Sequence, residues 1–304
     1  MEQFFVILQQ LFMFAFFSFV GAWCVKKKIF DEAALNSMSR FIITVTIPFM
    51  LICNLLSGPS LADLMTSLPI FLVYFFVFVF LFLLSCFIVR FFGFDEKKRD
   101  IYKALTTFSN AGFIGIPLIL ALFGKEGAIF VSLTTIVDQL MLWTLGIKLT
   151  SSANKFEWKR FLNPALVAIL FSLVGIVLGF RLPKIVFSAL SPIGNMTTAL
   201  SMIYIGGLFC VFDIKKYLLK VDIYMLILFK MILFPALIWC ILKFMPISVN
   251  MAKTVTLLFA LPCMTSIAIF AKKYDNNPEY AVATILISTA FSIVTVPLIS
   301  ILIG

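Results

Sequence analysis

The chain has 304 residues, of which 62% are hydrophobic, with 37 phenylalanines, no histidine and a formal net charge of +10. Soluble domains carry roughly 45–50% apolar residues, so a mean hydropathy of +1.13 excludes a water-soluble fold and marks an integral membrane protein. The lack of histidine excludes His-based triads, HExxH zinc sites and histidine proton relays together.

At about 20 residues and 1.5 Å rise per spanning helix, the length leaves room for roughly ten crossings and no soluble domain. Spans are predicted at 3–25, 40–57, 68–92, 101–123, 127–148, 163–180, 185–212, 222–243, 251–271 and 279–303. The first charged cluster, Lys26 to Lys28, follows the first apolar run, so Met1 to Val25 reads as a retained span and not as a cleaved leader. The second span carries Thr44, Thr46 and Pro48, candidates for facing a central site from the neighbouring helices.

The fourth span is interrupted by Ser109 to Pro117, reading SNAGFIGIP. Two glycines, an asparagine and a proline do not continue a helix cheaply, and each freed N–H or C=O costs several kcal/mol in hydrocarbon. Such a break is therefore tolerated only inside protein or along a water-filled cavity. Asn110 offers two donors and an acceptor there, for a substrate, for the freed backbone, or for both. Gly112 and Gly115 permit an unwound backbone and close crossing, and Pro117 pre-sets the first turn of the resumed helix.

In the fifth span Asp138, followed by Gln139, lies about ten residues deep. An acid there costs about 2.5–3.5 kcal/mol on insertion scales, so it faces protein or water and is a candidate for proton or ion coupling, or else a structural pair. Lys230 in the eighth span is the basic counterpart, open to anion binding or to snorkelling. Stripes such as Ser132, Thr135 and Gln139, or Thr197, Ser201 and Tyr204, fit helix packing in membranes, and Gly206 and Gly207 mark close approach in the seventh span. The six cysteines are scattered singly, without metal-type spacing, and read as reduced packing residues.

The basic excess is an orientation signal. Eighteen Lys and Arg lie in or beside odd-numbered connectors and five in or beside even-numbered ones, with Lys230 the only one well inside a span. The positive-inside rule then places odd connectors in the cytoplasm and both termini outside. Nothing in this distribution calls for a nucleic-acid partner.

A second break stands five spans after the first. The ninth span carries Ala260, Leu261, Pro262, Cys263, Met264, Thr265 and Ser266, at an offset of about 150–156 residues. Two five-span halves, 1–150 and 151–304, form an inverted repeat because each has an odd number of spans. Paired interrupted helices at corresponding positions are the best sequence pointer to a transporter's binding site. If the breaks cross, two half-helix N-termini, each equivalent to roughly +0.5 charge, meet in one volume that suits a carboxylate.

The strings FSNAGFIGIPL at Phe108 to Leu118, FGKEGA after it, and LPCMTSIAIFAKKYD at Leu261 to Asp275 resemble the auxin efflux carrier family, which includes bacterial permeases for malate and other organic anions. The resemblance covers essentially the whole chain. It implies an all-α membrane protein of ten helices in a five-plus-five inverted repeat, with crossed, broken helices four and nine as in sodium/proton antiporters and bile-acid symporters. A transport domain of spans 3–5 and 8–10 would move against a scaffold of spans 1, 2, 6 and 7. By position, Asn110 and Pro117 match the first crossover and Pro262 the second. Plant members carry asparagine at both breaks, whereas the second here offers Cys263, Thr265 and Ser266. The short connector Thr150 to Leu162 also fits a bacterial-type permease better than a plant carrier.

The expected function is alternating-access transport of a small organic anion across the cell membrane. The anion would be bound by Asn110, the half-helix N-termini, Thr265 and Ser266, with a proton or sodium ion as the coupling ion. The rival within transport is a cation/proton antiporter of the same fold, but such proteins concentrate acids near the break. No nucleotide motif, metal cluster or GxSxG nucleophile supports a pump or an enzyme, and no cofactor is expected. The lipid bilayer is the evident partner, and a homodimer is compatible with the sequence.

Overall fold

The computed structural model describes residues 2–57, 60–94, 96–151, 164–213 and 215–304. Lys155, Lys159 and Arg160, three of the residues behind the orientation reading, lie outside the described residues.

The described chain is helical throughout, with no strand beyond one isolated bridge. The helices are α1 (Glu2–Lys26), α2 (Glu32–Ser57), α3 (Leu61–Phe91), α4 (Glu96–Thr107), α5 (Ala111–Thr150), α6 (Pro164–Val177), α7 (Lys184–Val211), α8 (Val221–Leu242), α9 (Val249–Ala260), α10 (Thr265–Lys273) and α11 (Pro278–Ile303). Six of them, α2, α3, α5, α7, α8 and α11, are long and apolar enough to cross a membrane, and α6, α9 and Phe12–Lys26 of α1 are shorter apolar helices.

Local chemistry sets several boundaries. α2 begins at Glu32, eight residues before the predicted span, because the Asp31 carboxylate accepts from the Ala34 N–H at 2.7 Å and caps it. Its first turns carry Glu32 and Arg40, which lower the hydropathy without breaking the helix. α3 starts with a reciprocal Ser60–Asp63 capping box. The turn predicted at FGKEGA is a single-residue bend inside α5, where Gly124 adopts φ 52° and ψ −122°. Residues with a Cβ are strained there, so glycine is what lets two arms meet without a loop.

Between helices in lipid there is no hydrophobic driving force, so packing depends on close approach through small residues. α1 lies along α7, and α2 contacts both α6 and α7. The α1–α7 contact is reciprocal: a Cβ at Gly206 would sit 1.8 Å from the Ser18 carbonyl oxygen, and one at Gly21 would sit 1.9 Å from that of Ile203. Backbone meets backbone there, with no flexible side chain to yield. Gly206→Val is therefore expected to destabilise the protein by at least the roughly 1–3 kcal/mol typical of overpacking, read as a lower melting midpoint of the purified protein; an unchanged midpoint would show that α1 and α7 separate freely.

Candidate functional site

The two predicted breaks meet. Leu261, held extended at φ −66° and ψ 155° ahead of Pro262, ends α9. Asn110, at φ −77° and ψ 55°, separates α4 from α5. The freed backbone groups then satisfy each other: the Asn110 N–H donates to the Pro262 carbonyl at 2.8 Å and the Met264 N–H to the Phe108 carbonyl at 3.1 Å. Ser109 and Cys263 thereby form an antiparallel bridge. Pro262 has no N–H to leave unpaired, and the Cys263 N–H donates to the Ser288 hydroxyl at 3.2 Å.

Side chains extend this link. The Asn110 Nδ2 donates to Thr265 Oγ1 at 3.1 Å, joining the two breaks across 155 residues of sequence. Both residues line a cavity of about 240 Å³, with Gly112, Thr135, Gln139 and Ser266 supplying the other polar positions. The first turns of α5 and α10 both reach this cavity through Gly112, Thr265 and Ser266. First-turn N–H groups have no carbonyl of their own helix to bond, so the positive ends of two helices lie at one cavity; of these groups the Ala111 N–H donates to the Ser109 carbonyl at 2.7 Å and the Ile267 N–H to that of Met264 at 3.1 Å. The rest of the wall is apolar and aromatic, including Ile43, Ile47, Phe113, Trp143 and Phe270, and no charged side chain lines it among the described residues.

Among the described residues four π-helical segments occur, Ile42–Thr46, Ala111–Gly115, Leu142–Gly146 and Phe229–Leu233. The first three, or the residue after them, contribute to the cavity wall, and the fourth carries Lys230. Three of the four end two residues before a proline, Pro48, Pro117 or Pro235. Proline lacks the N–H and crowds the carbonyl four residues back, which the wider π turn relieves. The same sequence device thus recurs on three helices around the breaks, and π bulges are frequent at functional sites.

The intramembrane charges sit beside the cavity and outside its wall. Lys230 is 1% exposed, and its Nζ donates to the Thr106 carbonyl at 3.1 Å and to the Ser109 hydroxyl at 3.0 Å. Asp138 is 3% exposed and accepts from the Tyr74 hydroxyl at 2.9 Å. No ion pair joins Asp138 to Lys230; those among the described residues lie elsewhere. Tyr74 stacks on Phe259 with ring centroids 4.6 Å apart, and Phe78 meets Phe108 at 5.1 Å, so an aromatic cluster connects the acid to both breaks.

Of the residues singled out in the sequence, the structure brings Asn110, Gly112, Thr135, Gln139, Thr265 and Ser266 together on one wall. Gly115 packs on Leu258 and Leu261, where a Cβ would come within 2.8 Å of each, and Pro117 borders a different cavity with Asn54 and Asn195. Pro262 and Cys263 act through their backbone in the bridge. Thr44 and Thr46 donate to the carbonyls of their own helix at Arg40 and Ile42, and α2 shows the cavity Ile43 and Ile47 instead. Trp143 went unnoticed in the sequence; its Nε1 donates to Gln139 Oε1 at 3.2 Å, and the four-residue spacing was the available signal. In a cycle of Asn110→Ala, Thr265→Val and the double variant, the crossover bond is expected to appear as a coupling of roughly 0.5–1.5 kcal/mol in melting free energy, whereas additive effects would mean the two side chains do not interact.

Comparison with known proteins identifies the family. The family model described as "Membrane transport protein" matches residues 6–157 and 148–300. The chain is also similar to an uncharacterized transporter of Methanocaldococcus jannaschii, 25% identical over 286 residues that cover 89% of this chain and 90% of that protein. Long apolar helices and a family match over nearly the whole length lead to one assignment: this multi-pass membrane protein belongs to the auxin efflux carrier family of membrane transport proteins.

Proposed function

We propose that the protein is a secondary transporter that moves a small organic anion across the cell membrane by alternating access, binding it in the cavity at the crossed breaks. In this reading ten spans are arranged as a five-plus-five inverted repeat. α1, α2, α6 and α7 form the scaffold, and the remaining helices carry the substrate past it. The basic connectors face the cytoplasm, with both termini outside.

The observation that carries the proposal is the convergence of two helix N-termini, Asn110, Thr265 and Ser266 on one cavity. Backbone N–H groups aimed at a carboxylate recognise it without a buried lysine or arginine in contact. The wall supports a finer choice. With one polar end, an apolar and aromatic remainder and no charged side chain, it favours a monocarboxylate with an apolar body over a dicarboxylate. A second carboxylate would lose hydration against Ile43, Ile47 or Phe270 with nothing to replace it.

Energetics set the direction. Moving one charge through 100 mV involves about 2.3 kcal/mol, so an inside-negative potential expels a monoanion unaided, and uptake requires about one compensating proton per charge. Asp138 is our candidate for carrying that proton. Its bond to Tyr74, and the stacking of Tyr74 on Phe259 beside the second break, give a change of its charge a physical route to the crossover.

Three outcomes are expected in proteoliposomes. Asn110→Ala is expected to insert normally and to lose roughly 10- to 100-fold in transport efficiency, the equivalent of one hydrogen bond to a charged group; undiminished flux would remove the proposed site. A competition screen of labelled organic acids under an imposed pH gradient is expected to rank apolar monocarboxylates above dicarboxylates, and Asp138→Asn to flatten the pH dependence of uptake. A pH profile identical to wild type would take the coupling role from Asp138.

A further inference from the structure

Lys230 is fully buried at the crossover, yet no carboxylate among the described residues lies within ion-pair distance of it. Its ammonium instead meets two neutral oxygens, the Thr106 carbonyl in the last turn of α4 and the Ser109 hydroxyl inside the break. The last turn of a helix leaves carbonyls without intrahelical partners and amounts to roughly half a negative charge. In broken-helix carriers, unwound carbonyls and half-helix C-terminal ends are the groups that coordinate a coupling cation. The two oxygens are of the kind that hold an alkali-metal ion in such carriers, and here the ammonium engages both.

The delivery of the charge is built into α8. Lys230 belongs to the π segment Phe229–Leu233, and Pro235 follows that segment by two residues. The wide turn fixes where the side chain leaves the helix, and the flanking Ile227 and Met231 are buried, so the stem is held in packed surroundings. Asp138, the acid of the fifth predicted span, is engaged by Tyr74. The described residues also contain no group of three or more Asp, Glu, Cys or His side chains that could hold a metal.

We propose that Lys230 is a tethered cation standing at the C-terminal end of α4 in place of a bound metal ion, so that both the folded state and transport are independent of sodium. This rests on the carrier reading above and narrows its coupling ion. Lys230 acts here as a positioning residue: it neutralises the end of α4 and fixes Ser109, which pairs with Cys263 in the bridge, without lining the substrate cavity.

The test uses the full-length protein in nanodiscs, melted in sodium chloride and in choline chloride of equal ionic strength, with flux measured in the same two salts in proteoliposomes. Wild type is expected to give the same midpoint and the same initial rate in both. A saturable rise of the midpoint with sodium, or flux that stops in choline, overturns the proposal. Lys230→Ala exposes the Thr106 carbonyl and the Ser109 hydroxyl to a vacated volume. It is expected to melt several degrees below wild type in choline and to recover at least half of that loss in sodium or lithium. A variant that melts like wild type, or stays equally low in every salt, refutes the replacement of a metal by the lysine. If Lys230→Ala cannot be purified, wild type in the two salts decides alone. Melting needs no substrate, so failure here is distinguishable from failure of the carrier reading, which the flux of Asn110→Ala reports.

Discussion

Everything at the centre of this protein depends on a small patch of extended backbone. A chain that stops being helical in the middle of a bilayer must find new partners for its amides and carbonyls, and water is not at hand to supply them. Here each break supplies the other, through Asn110 to Pro262 and Met264 to Phe108. Only once that constraint is met can the ends of four half helices converge without a prohibitive cost. The cavity, the placement of Asn110 beside Thr265 and the need for compensating charge all follow from this pairing.

The two sides of the crossover are chemically different, although the breaks pair symmetrically. The cavity receives helix N-termini and neutral polar side chains, an arrangement that welcomes an anion. The C-terminal end of α4 receives the Lys230 ammonium instead. Asp138 lies beyond both, tied to Tyr74 and backed by the ring of Phe259. In the transport reading proposed above, separation of these roles would let a carboxylate be held by weak, numerous contacts. A buried lysine in direct contact with a carboxylate would form a pair costly to break in each cycle, whereas amide dipoles bind and release the same group more readily.

Much of this was legible in the sequence because membranes restrict what a chain can do. The breaks at Ser109–Pro117 and around Pro262 stood out against long apolar runs, and their equal spacing from the ends of two halves suggested that they meet. Four of the residues chosen on that basis, Asn110, Gly112, Thr265 and Ser266, share one wall. What stayed hidden was set by orientation about the helix axis. In α2 the eye falls on Thr44 and Thr46, but those hydroxyls fold back on their own carbonyls and the helix turns Ile43 and Ile47 to the cavity. In α5 Asp138 and Gln139 are neighbours in sequence, yet they leave the helix about 100° apart, and only Gln139 reaches the wall. The recurring proline two residues after a π segment at Pro48, Pro117 and Pro235 is a readable signal, since proline must disturb the turn before it.

The reciprocal bridge also bears on how the protein is made. Phe108 and Asn110 leave the ribosome long before Pro262 and Met264, the residues that complete their hydrogen bonds. Until the later segment arrives, the first break carries unpaired amides and carbonyls, and hydrocarbon gives them no relief. The partners of the first break thus lie some 150 residues further along the chain. The backbone bonds of the first break are complete only when the segment around Pro262 has joined it in the membrane.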